Sequence, residues 1–97
     1  MTPLGFKRSL SKSQPPNGLS PALAGLWWAA KDKWDKAHKL VMDEDSAECA
    51  WVHAYLHRLE GDLDNARYWY RRAHRPLATG DLADERDAIA AALLQSE

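Results

Sequence analysis

The chain has 97 residues, 45% of them hydrophobic, and a formal net charge of −1. That length accommodates one domain, and the near-neutral balance excludes a general electrostatic pull toward DNA, RNA or anionic lipid. A single cysteine, Cys49, excludes an internal disulfide framework and a multi-cysteine zinc site, which points to a reducing, cytoplasmic setting.

No apolar run approaches the ~18 residues of a membrane span. Lys7 and Arg8 are not followed by an apolar stretch, so no secretory signal is expected. Residues 1–20 carry Pro3, Pro15, Pro16, Gly5, Gly18 and four serines. That composition predicts an extended or flexible N-terminal arm ahead of a helical domain at 21–97, with Leu4, Phe6 and Leu10 as possible anchors. Charge is uneven. Residues 1–31 hold Lys7, Arg8, Lys12 and Lys31 and no acid, whereas 77–97 hold five acids against Arg86.

Ser20-Pro21 is a helix start, with serine as N-cap and proline in the first turn. The first predicted helix runs from about Pro21 to Ala30, with Leu23, Leu26, Trp27 and Ala30 on one face. A second runs from about Lys33 to Met42, with Trp34, Ala37, Leu40 and Val41 inward. A continuous helix through Lys31-Asp32 is the alternative. Asp45 with Glu48 resembles a capping box before a third helix at about Ser46–Glu60. Gly61 supplies a left-handed C′ position and Asp62 caps a fourth helix at about Leu63–His74. Pro76 stops it. Asp81 caps a fifth, with Leu82, Ile89, Ala90 and Leu93 as its buried stripe. No stretch alternates with the two-residue period of a strand, so the fold is expected to be all-α.

Gly61, Ala66, Tyr70 and Ala73, closed by Pro76, match the spacing of the second half of a tetratricopeptide repeat. Residues 21–76 resemble that family. Small alanines let two antiparallel helices touch, and the aromatic fills the gap to the next helix. Ala54 fits the small position of the first half, while His53 and His57 stand where a leucine and an aromatic are usual. An earlier, fainter copy has Gly25, Trp28 and Ala37, with Asp32 in place of the turn glycine and a period shorter than the usual ~34 residues. The resemblance implies a five-helix α-α repeat bundle that binds a peptide or protein on a concave face. The block HRLEGDLDNARYWYRRA also resembles a small uncharacterised, mainly microbial family, which implies a self-standing unit and adds no chemistry.

Cys49, His53, His57 and Glu60 fall within a helical sector of roughly 80°. Histidines at i and i+4 can share a metal, with Glu60 as a third ligand and Cys49 as a fourth. They can equally hydrogen-bond within the fold or line a metal-free pocket. A Cys49–His53 nucleophile lacks an identifiable orienting group and oxyanion site. Arg58, Asp62 and Asn65 around the turn could form a polar pocket, or a capped turn with surface ion pairs. Trp28, Tyr68 and Arg72 are candidates for a protein interface. Arg67, Arg71, Arg72 and Arg75 interleave with aromatics, but nearby acids cancel much of that charge and argue against nucleic acid. No Gly-rich phosphate loop or nucleophile elbow is present. Two readings follow. One is a helical module that binds a protein segment or its own copy as a homodimer, with no assignable reaction. The other is a small-ligand or metal-binding protein, possibly an enzyme, centred on His53, His57 and Glu60. No cofactor is identified by the residues alone.

Overall fold

The computed structural model describes residues 1–95. Among them are six α-helices and no strand: α1 (Pro3–Ser9), α2 (Pro21–Ala30), α3 (Trp34–Val41), α4 (Ala47–Leu59), α5 (Leu63–Arg72) and α6 (Leu82–Gln95). No helix among the described residues is long and apolar enough to cross a membrane.

The helix not expected from the sequence is α1. It occupies the segment read as an extended arm, which makes the count six rather than five. Its start repeats the logic of Ser20-Pro21. Thr2 Oγ1 accepts from the Gly5 amide at 2.9 Å, and Pro3 takes the first helical position. Phe6 is buried in the main core. The Trp27 indole N–H donates to Ser9 Oγ at 3.0 Å, which in turn donates to the Phe6 carbonyl at 2.6 Å. Lys31 Nζ then holds the chain beyond α1 by donating to the Leu10 and Lys12 carbonyls at 2.7 and 2.9 Å. Thus Phe6 is docked and Leu10 is partly buried beside it, whereas Leu4, the third anchor expected, is exposed; the buried Trp27 indole of α2 finds its acceptor on α1.

Helices α2 and α3 form one antiparallel hairpin and α4 and α5 a second, and α3 packs against α4. The turns that close both hairpins are alike. Asp32 (φ 62°) and Gly61 (φ 83°) take the left-handed conformation. The Lys33 amide donates to the Trp28 carbonyl and the Asp62 amide to the His57 carbonyl, each at 2.9 Å, as in a Schellman motif. So the chain breaks between α2 and α3 at a residue that is neither glycine nor proline. Ser20 and Asp62 cap as expected, accepting from the Leu23 and Asn65 amides at 3.2 Å each. At α4, by contrast, the cap is Ser46, which accepts from the Cys49 amide at 3.1 Å. Asp45 is left to pair with Arg72 at 3.3 Å.

The main core joins Leu23, Leu26 and Trp27 of α2, Val52 and Leu56 of α4, and Ile89 and Leu93 of α6. Helix α6 therefore lies across α2 and α4, and α1 lies against α6, where Lys7 meets Asp87 at 3.2 Å. Two apolar residues expected inside are exposed: Leu40 of α3 and Leu82 at the start of α6. A smaller cluster of Ala54, Ala66 and Tyr70 forms the α4–α5 seam. The matching contact in the first hairpin runs through Gly25, where an added Cβ would stand 2.9 Å from Val41 Cγ1 and 3.4 Å from the Ala37 carbonyl.

Candidate metal centre

Where α3 meets α4 and α5, three histidines converge. His38 comes from α3, and His53 and His57 from successive turns of α4. His38 Nε2 and His53 Nε2 are 3.0 Å apart. Potential ligand nitrogens of all three lie within 4.8 Å of one another. His53 and His57 stack on each other at 4.9 Å between ring centroids, and His38 stands edge-on to both.

Two indoles wall this cluster. Trp34 stacks on His38 at 4.7 Å and 13°, and its N–H donates to the Leu56 carbonyl of α4 at 2.7 Å. Trp69 of α5 stacks on His53 at 3.8 Å and 17°. The sequence logic is local. Trp34 and His38 are one turn apart on α3, as His53 and His57 are on α4, so each pair shares a face. Trp69 follows Ala66 by three positions and is thereby turned toward α4. His53 and His57 are both buried, so their rings lie between helices rather than in water.

Burial sets the protonation. His53 is 4% exposed, and desolvation, with His38 and His57 adding to it, pushes its pKa down to about 4. Desolvation and the neighbouring His57 also lower His38. Both are neutral imidazoles near pH 7, the form that ligates metals. His57 Nδ1 faces Glu60 Oε2 at 2.7 Å. A carboxylate there holds the Nδ1 proton and leaves Nε2 as the nitrogen His57 has for a metal, the usual arrangement behind a ligating histidine. His53 Nδ1 has no hydrogen-bond partner.

These residues fit a tetrahedral ion of the zinc class. Bonds of 2.0–2.1 Å in a tetrahedron place ligand nitrogens about 3.3 Å apart, close to the His38–His53 separation. The remaining separations are within 4.8 Å, so they contract by at most about 1.5 Å to reach that spacing. Coordination of His53 through Nε2 requires its ring proton on the unpartnered Nδ1, a cost of about 1–3 kcal/mol that is small beside zinc coordination. A second group, His57, Glu60 and Asp62, also clusters. There, however, Asp62 is engaged by the Asn65 amide and by Asn65 Nδ2, the latter at 2.8 Å, bonds that lower its pKa.

The expected site is thus assembled in part. His53, His57 and Glu60 come together, with Glu60 behind His57 rather than beside the other rings. Cys49 does not join them. It lies eight residues from His57, about 12 Å along the helix axis, and is buried in the main core, where desolvation raises its thiol pKa. The missed member is His38. Its signal was that three of the four histidines fall within residues 38–57, across two neighbouring helices.

The turn pocket does not form. Asp62 and Asn65 make a cap, while Arg58 turns to α6. There it donates to Glu85 Oε1 at 2.8 Å and to the Gly80 carbonyl, and Glu85 Oε2 accepts from the Tyr70 hydroxyl. Of the interface candidates, Trp28 is half-buried beneath Lys36 at 4.3 Å. Tyr68 is exposed and accepts from Arg72 at 3.1 Å. No family model matches this chain, and neither a curated protein nor a solved structure does.

Proposed function

We propose that the protein binds one late first-row divalent ion, zinc or a close relative, through His38, His53 and His57. The observation that carries this is the convergence of three imidazoles from two helices, with a carboxylate already on the far nitrogen of one. An all-imidazole set suits Zn²⁺, Cu²⁺ and Ni²⁺ and not Mg²⁺ or Ca²⁺, which take oxygen ligands. The ion would tie α3 to α4 and so clasp one hairpin to the next. Binding is therefore coupled to stability.

The test is metal analysis and calorimetry on protein stripped with a chelator and then reloaded. The expected result is one zinc per chain, a raised melting temperature, and loss of both on His38→Ala. His38 is the discriminating position because it is the ligand on the other hairpin. Full zinc binding by the His38→Ala variant, or none by the native chain, overturns the reading.

A second reading concerns the scaffold. Gly25 and Ala54, Asp32 and Gly61, Ala37 and Ala66, and Val41 and Tyr70 each recur 29 positions apart. Their matched turns and seams support a tetratricopeptide-like pair of repeats. Since α6 covers α2 and α4, self-association would use the outer side of α5, where Tyr68 is 44% exposed beside Arg72. Sedimentation that finds only monomer at high micromolar concentration removes the homodimer.

A further inference from the structure

On the side of α5 away from the histidines, an open groove of about 330 Å³ is lined by Arg67, Tyr70, Arg71, Arg75, Pro76 and Leu77. Its origin is in the chain. Arg67 and Arg71 are one helical turn apart and share a face. At the end of α5, His74 takes φ 58° and the Arg75 amide donates to the Tyr70 carbonyl at 3.0 Å. That turn folds Arg75 and the following Pro76-Leu77 back beside the helix. The result is a concave strip that sets three arginines beside Tyr70, Pro76 and Leu77.

Three features distinguish this strip from an ordinary solvated face. Its lining has three cations and no carboxylate, in a chain whose net charge is −1. The Arg75 guanidinium lies 3.8 Å from the centroid of the Trp51 ring of α4, which fixes its position and leaves its N–H edge free. Little within the protein neutralises the others. Arg67 has a loose 3.6 Å contact with the fully solvated Asp64, and the Arg71 guanidinium makes no ion pair or hydrogen bond among the described residues. Arg72, by comparison, is already committed to Asp45 and Tyr68.

We propose that Arg67, Arg71 and Arg75 form a binding site for a small organic phosphomonoester, with the phosphoryl group on the guanidinium groups and the organic group on Pro76 and Leu77. A phosphate dianion offers three oxygens and nearly two charges, which suits several forked donors better than a single carboxylate does. Pro76 and Leu77 add preference for an ester over the free ion. The site shares no side chain with the histidine cluster, so it stands independently of metal binding.

The experiment is an amide and indole NMR titration of the full chain at constant ionic strength, since screening would otherwise imitate displacement. The probes are phenyl phosphate, inorganic phosphate and benzoate. Expected are saturable shifts confined to residues 67–77 and the Trp51 indole, with phenyl phosphate tightest. Arg71→Ala and, separately, Arg75→Lys should each weaken it roughly tenfold. Both positions are at the surface, and an unchanged spectrum elsewhere verifies the fold. Shifts that do not saturate, that spread over all basic residues, or that persist unchanged in both variants overturn the proposal. Equal binding of benzoate overturns the phosphate assignment.

Discussion

The indole of Trp69 on α5 covers the imidazole of His53 on α4, with ring centroids 3.8 Å apart and planes within 17°. This contact covers one face of a buried ring, and burial holds the His53 pKa well below the usual histidine range. Trp69→Ala should therefore return water to the ring and raise its pKa by about one unit or more. NMR titration of the imidazole protons in chelator-treated protein measures this directly. An unchanged His53 titration would mean that the helices, not the indole, do the shielding.

The same burial makes stability depend on pH. His53 has a folded pKa of about 4 against 6.5 for the free side chain, so the unfolded chain binds its proton first. Its contribution is whole above pH 6.5 and is lost as pH falls toward 4. By pH 4.5 the loss is of order 2 kcal/mol. Denaturant unfolding in the presence of chelator should show this decline, and His53→Gln should flatten it. Parallel curves for the two proteins would contradict the assignment.

Glu60 sits behind His57 and is half-exposed, so removing its charge should leave the fold intact while altering the ligand. Glu60→Gln is expected to weaken zinc binding by about 10- to 100-fold, with little change in the melting temperature of the metal-free protein. Competition against a chromophoric chelator gives the affinity. Glutamine keeps the size and a hydrogen bond, so equal affinity would leave Glu60 no part in tuning the centre.

Gly25 marks the closest approach of α2 to α3. In an exposed helix, Gly→Ala stabilises by about 0.8–1 kcal/mol. Here the new methyl meets a buried, β-branched Val41 at 2.9 Å, and overpacking of this kind costs about 1–3 kcal/mol. Gly25→Ala should thus be destabilising on balance, and Val41→Ala in the same chain should relieve the clash. Melting curves of the two single variants and the double variant decide it.

Arg58 and Glu85 form an ion pair whose side chains are 12% and 9% exposed. Glu85 also takes the Tyr70 hydroxyl, and burial followed by that hydrogen bond raises the Tyr70 pKa. Glu85→Ala leaves the Tyr70 phenol unpaired and the Arg58 guanidinium without its counter-ion, with the Gly80 carbonyl as its acceptor, and should cost about 3–5 kcal/mol. Tyr70→Phe should cost less, about 1–2 kcal/mol, since it removes one donor to a carboxylate that keeps Arg58. Chemical denaturation reports both.

Much of this architecture is written locally. Pro21–Ala30 is a helix because Ser20 caps it and its apolar residues recur with helical spacing. Gly61 turns α4 into α5 because few other residues take its left-handed conformation cheaply, and Asp62 caps the helix that follows. Such features depend on neighbours within a few positions, so they can be read along the chain. The docked helix at Pro3–Ser9 is not legible in this way, because prolines and glycines surround its Thr2-Pro3 start, and because the partners that hold it, Trp27 and Lys31, lie some twenty residues away.

The candidate centre divides in the same way. Helical periodicity by itself put His53, His57 and Glu60 on one side of α4, and it wrongly added Cys49, because angle around an axis carries no information about distance along it. What only the tertiary structure decided is that α3 crosses that side. This brings in His38, stacks Trp34 on His38 and Trp69 on His53, and buries His53 away from the water that would favour its charged form. The contacts between helices here join residues 15 to 23 positions apart. They follow from how the two hairpins pack, which is a property of the whole fold and not of any one segment.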